Sequence, residues 1–282
     1  MKILNTKRCV IGEGPIWNPI ESKLYFTNGM GMELCTYDFV TDTVSTRKLP
    51  IGAAAYAFDK GGRLIVSHAD GVDFLEADGT LVPIYDREKF QIQYANDMKV
   101  GPDGAIYVGT QSERRKGLSD KLNGRLYRIS RDGEVRVLLD GLILSNGMEW
   151  SLDESKFYHT DSDTHIIREY DFDIHTGSIS PTGRFVECPG VDGFTVGRDG
   201  NLYVGCWGKG HVAVVDTVSI RIADYIPLPV KIPSSCGFCG ADMDILAITT
   251  ASYRADVSTD ENAGYTLLYQ TKTQGRLPYL YG

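Results

Sequence analysis

Four oxygen-bearing side chains recur at one phase of this sequence: Glu13, Asn96, Asn146 and Asp192. Each stands four residues before the last apolar position of a strand-like run (Trp17, Val100, Trp150, Val196) and directly before Gly or Asp. Two further copies of the run end at Phe58 and Gly240, where the same step lands on Ala54 and Cys236. For a single Asn or Asp before Gly, satisfying local backbone donors in a turn is sufficient explanation. Four in phase, two of them carboxylates, imply more. Two carboxylates brought together repel unless a proton or a cation neutralises them. Oxygen donors without a thiol or imidazole suit one hard or borderline divalent cation: Ca²⁺, Mg²⁺, Mn²⁺ or Zn²⁺. So few protein ligands leave positions open for water and substrate, which is the catalytic pattern.

The elements that must position these residues repeat. Six apolar segments follow turns: Leu24-Tyr25-Phe26, Leu64-Ile65-Val66, Ile106-Tyr107-Val108, Phe157-Tyr158-His159, Leu202-Tyr203-Val204 and Leu246-Ala247-Ile248. Their first residues lie 40, 42, 51, 45 and 44 apart, and turn chemistry such as Pro102-Asp103-Gly104 or Arg198-Asp199-Gly200 precedes them. Further strand-like runs follow most copies, and no helical periodicity competes. Four short strands per unit of this length predict an all-β fold, a six-bladed β-propeller with four-stranded blades around a central channel. Equivalent positions then lie on one ring about the axis, so the four side chains should converge. No linker divides the chain, so one domain over residues 1–282 is expected. The irregular stretch is Gln111 to Asn123, a charged loop that lengthens the third interval and reads equally as a lid or a solvated excursion.

Composition narrows the function. The net charge of −8 argues against nucleic acid and anionic membranes as partners. No segment has signal-peptide or membrane-span character, so a cytoplasmic protein, monomeric or weakly self-associating, is expected. The six cysteines sit mostly in apolar runs and read as buried reduced thiols; Cys236-Gly-Phe-Cys239 is a lone CxxC without a second pair. No G-x-S-x-G occurs, and His68, His159, His165, His175 and His211 show no triad or metal spacing.

At the in-phase residues the chain resembles the SMP-30/gluconolactonase/luciferin-regenerating-enzyme family, the regucalcin-like proteins. The resemblance is carried by Gly12-Glu13-Gly14-Pro15-Ile16-Trp17, Asn96-Asp97-Met98-Lys99-Val100-Gly101-Pro102-Asp103-Gly104, Ser145-Asn146-Gly147-Met148-Glu149-Trp150, Val191-Asp192-Gly193-Phe194 and the closing Pro278-Tyr279-Leu280-Tyr281-Gly282, in order. It implies a divalent cation held by Glu13, Asn146 and Asp192, hydrolysis of sugar lactones, and Asn96 as a substrate contact. Two departures stand out. Sugar-lactonase members often carry Arg two residues before that Asn, where this chain has Tyr94. They also place a substrate-contacting Glu shortly after a Gly-Thr; here Glu113 follows Gly109-Thr110, displaced by about one residue, with Arg114 beside it. Asp192 is the expected general base or else a ligand only, and Asn96, Tyr94 and Glu113 are expected to hold substrate. A phosphotriesterase-like hydrolase and a non-catalytic calcium-binding regulator are the competing functions.

Overall fold

The computed structural model describes residues 1–5 and 7–282. Its strands form six four-stranded antiparallel sheets, each a meander of consecutive strands apart from the sixth. In chain order the first strands are Gly12–Asn18, Ala53–Phe58, Ala95–Val100, Ser145–Trp150, Val191–Val196 and Pro233–Cys239. All six apolar segments expected to be strands occupy the second strand of a sheet. These are the six blades of a β-propeller, as the repeat predicts.

Residue choice explains which strand of a blade goes inside. First strands are the more deeply buried, almost wholly so in Ser145–Trp150 and Val191–Val196, polar side chains included. Fourth strands such as Thr43–Lys48 (TVSTRK), polar apart from Val44, stay largely exposed. The hydrophobic gain therefore concentrates on the first two or three strands of each blade.

Two compact units divide the chain. One comprises Met1–Ala53 and Val186–Pro278, with blades 1, 5 and 6; the other comprises Ala54–Phe185 and Tyr279–Gly282, with blades 2, 3 and 4. In the first unit, Lys2–Leu4 pairs with Thr266–Gln270 and supplies the fourth strand of blade 6. Its core joins Leu24, Phe26, Val212, Phe238, Leu246 and Leu267. In the second unit, an aromatic cluster of Tyr107, Trp150, Phe157 and Phe172 fills blades 3 and 4. The tail closes against the same unit: Tyr281 N donates to Phe58 O at 3.0 Å, and Tyr279 Oη donates to Glu154 Oε1 at 2.6 Å.

Register corrects one part of the phase. Trp17, Val100, Trp150 and Val196 face Leu24, Ile106, Phe157 and Leu202 across their hairpins. In blade 6 the residue facing Leu246 is Phe238, not Gly240, so the equivalent position is Ser234 rather than Cys236. The Gln111–Asn123 loop also contains an element that the periodicity did not show. Glu113–Lys116 is a single helical turn, N-capped by Ser112 and closed by Gly117 at φ 72°.

Candidate active site

Each oxygen-donor residue sits at a break in strand pairing. The ladder of blade 1 shifts between Glu13 and Ile16, that of blade 3 between Ala95 and Met98, that of blade 4 between Ser145 and Met148, and that of blade 5 between Val191 and Phe194. A bulge adds a residue on one side of the ladder and re-aims its side chain, and bulges recur beside active sites. Asn96, Asn146 and Asp192 lie inside the break and Glu13 lies at its edge.

In the first unit, Asp192 is buried and Glu13 half-buried. Gly193, next to Asp192, is required by packing, because a Cβ there would meet Ser235 Oγ at 2.1 Å. Blade 6 also pins the strand of Glu13: the buried Ser234 Oγ donates to Gly12 O at 2.5 Å. Ser234 therefore takes a structural task at the position where blades 1, 3, 4 and 5 carry oxygen donors.

In the second unit, hydrogen bonds gather Asn96, Gln111 and the strand of Asn146. Asn96 Nδ2 donates to Ser145 O at 3.1 Å, and Gln111 Nε2 donates to Asn96 Oδ1 at 3.3 Å. Ser67 Oγ donates to Asn96 O at 2.7 Å. The approach to Asn146 is held by Asp161, whose carboxylate accepts from Ile143 N at 2.8 Å and Leu144 N at 2.9 Å. Tyr94 lies beside Asn96 with a left-handed backbone, φ 57°, fixed from both sides as its N–H donates to Ala69 O and its carbonyl accepts from Gln111 N. Glu113 is engaged within its own loop, accepting from Ser119 Oγ at 2.6 Å and Asn123 Nδ2 at 3.0 Å. Gln111, not Glu113, reaches Asn96; sequence reasoning missed it because the contact spans a loop.

A second missed feature is charged. Lys99 Nζ donates to the buried Glu149 Oε2 at 2.7 Å, joining blades 3 and 4. Asp97 lies two residues away, its carboxyl pushed above the ordinary value by burial, against the pull of Lys99. Its surface is partly open to solvent, but protein surrounds it densely, and that density governs its desolvation. The signal was in the repeats: Lys99 and Glu149 hold the same phase in adjacent copies with opposite signs.

His159 is structural, as its spacing suggests. Its Nε2 shares a hydrogen bond of 2.8 Å with Ser145 Oγ, and both residues are buried. Burial, reinforced by Arg168, pushes the imidazole down to about 3 from its ordinary 6.5, so it is neutral in the folded protein. The unfolded chain takes up this proton below pH 6.5 while the folded protein refuses it until about pH 3. Stability should therefore be complete above that window and fall as pH drops through it, by about 5 kcal/mol at its foot. His159→Gln is expected to flatten this part of the pH–stability profile, which thermal melts across the window measure; an unchanged slope would count against the assignment.

The donor set fits a cation by its chemistry: two carboxylates and a carboxamide, all hard oxygen ligands, with the Asp and Asn buried. Among the described residues no group of three or more His, Cys, Asp or Glu is placed to hold a metal, and this set, with only two such residues, does not call for one.

The sheets define a class, the six-bladed β-propellers, here with oxygen-bearing side chains at the bulges of their first strands. Comparison with known proteins narrows it. Residues 11–252 match the SMP-30/Gluconolactonase/LRE-like region, and the chain belongs to this family. Human regucalcin is 26% identical over 287 aligned positions, spanning 98% of this chain and 96% of that protein. Pentonolactonase XacC of Haloferax volcanii is 30% identical over 261 positions, spanning 90% of this chain and 86% of that one. The crystal structure of the calcium-binding protein regucalcin from Agrobacterium tumefaciens superposes with a TM-score of 0.88 over 99% of this chain and 96% of its own, at 23% identity, a likeness of fold. No helix among the described residues is long and apolar enough to cross a membrane.

Proposed function

We propose that this chain is a divalent-cation-dependent hydrolase that opens the ring ester of a sugar lactone, such as glucono-, xylono- or arabinolactone, to the aldonic acid. The observation that carries the reading is the coincidence of the pairing break with Glu13, Asn96, Asn146 and Asp192 in four blades. Membership in the family and a relative named pentonolactonase support the substrate class. A relative described as calcium-binding supports a divalent cation.

Glu13, Asn146 and Asp192 would hold the cation, with two negative charges to match it. When bound, such a cation stabilises negative charge developing on the lactone carbonyl oxygen. Asp192 takes the proton from the attacking water at a carboxylate oxygen. Asn96 orients a sugar hydroxyl, its amide set in direction by Ser145 O and Gln111 Nε2. The half-buried Tyr94 ring offers an apolar face to the sugar, and Glu113 supports the substrate through the loop that it braces. All six cysteines are free and buried, which favours a reducing, cytoplasmic setting.

Acid release measured by pH-stat on a lactone panel, beside release from a phosphotriester, tests this reading. Lactones should be preferred. A faster phosphotriester would point to the other ester chemistry, and cation binding without acid release from either would point to a regulator.

A further inference from the structure

The loop beside Asn96 carries positive charge that its surroundings do not balance. From Glu113 to Lys121 it has Arg114, Arg115, Lys116 and Lys121 against Glu113 and Asp120, in a chain whose net charge is −8. Lys121 approaches Glu113 at 3.8 Å and Arg115 approaches Asp163 at 3.8 Å. Arg114 and Lys116 have no such carboxylate partner among the described residues. The Lys116 ammonium lies 5.7 Å from the centroid of the Tyr94 ring, within cation–π range. That ring is held in place: a left-handed backbone at a bulky residue costs on the order of 1–3 kcal/mol and persists only where neighbours over-determine it. Here Ala69 O and Gln111 N–H supply that constraint. Tyr94 in turn stands two residues from Asn96. A cation thus sits over the Tyr94 ring, close to Asn96 in the chain.

We propose that Lys116, seated on Tyr94, is a specificity-determining cation that selects lactones bearing a second, anionic group, a carboxylate or a phosphate. The inference rests on the lactonase reading and names the substrate class of that site. An ammonium over an aromatic face keeps its charge and its three donors while giving up part of its water, so an arriving anion displaces little solvent. Arg114, without a competing carboxylate, adds to the same local potential.

Hydrolysis of gluconolactone, of glucarolactone and of gluconolactone phosphorylated on its primary hydroxyl is compared in the wild type, Lys116→Ala and Lys116→Arg. The wild type should favour one or both anionic lactones over gluconolactone by kcat/KM, and the better of the two identifies the anion. In Lys116→Ala that preference should fall about tenfold through KM, the size of one charge-assisted contact, and in Lys116→Arg it should persist. Added salt should shrink it in the wild type. Hydrolysis of gluconolactone with no anionic preference, or a preference that Lys116→Ala leaves intact, overturns this inference and spares the lactonase reading. Hydrolysis of none of the three overturns both.

Discussion

Asp192→Ala is expected to lower kcat/KM for lactone hydrolysis by about a thousandfold or more, the range for losing a general base together with a ligand. The fold should survive. Backbone pairs on both sides of the bulge, Val191 with Cys206 and Phe194 with Val204, keep the strand in place without the side chain. Removing a buried carboxylate also removes its desolvation cost. Asp192→Asn separates the two roles. It retains an oxygen ligand and loses the proton acceptor, so cation affinity should fall less than turnover. Calorimetric titration of the cation beside pH-stat rates reads both quantities. A fully active Asp192→Ala enzyme would overturn the site assignment.

Trp150→Ala is expected to give the largest loss of stability. Trp150 is fully buried, with ring centroids 4.8 Å from Tyr107, 5.1 Å from Phe157 and 5.9 Å from Phe172. Emptying that space removes the transfer energy of the indole and leaves a cavity that the surrounding rings cannot close, a cost of about 3–5 kcal/mol. For a chain of this size that is a fall in Tm on the order of 10 °C. Among the described residues the indole N–H has no hydrogen-bond partner, so Trp150→Phe gives up shape but no polar contact. It should cost clearly less than Trp150→Ala, because the phenyl ring refills most of the space. Thermal melts of the two variants test the packing account, and equal losses would contradict it.

The blades were legible because each repeats one local grammar, an apolar strand after a tight turn. Pro102-Asp103-Gly104 shows why: Gly104 takes φ 71°, and Asp103 Oδ1 accepts from Ala105 N. Where the turn departs from that grammar the phase was lost. In blade 6 the connection is longer, with Phe238 facing Leu246 eight positions on where blades 1, 3, 4 and 5 take six or seven, so Ser234 replaces Cys236 as the equivalent position. The helix Glu113–Lys116 was hidden for another reason, since four residues are too few to show a period, although Ser112 and Gly117 are good caps. Gln111 reaching Asn96 is a tertiary contact across a loop, which no local propensity encodes. Lys99 and Glu149, by contrast, were readable as opposite charges at one phase of neighbouring repeats.

The central claim is that a divalent cation and Asp192 together open a lactone. Acid release from gluconolactone by the purified protein, before and after chelation and then with Ca²⁺, Mg²⁺, Mn²⁺ or Zn²⁺ restored singly, tests it most directly. The account predicts release that chelation abolishes and at least one of these cations restores in the wild type but not in Asp192→Ala. Release that survives complete removal of divalent cations would contradict it.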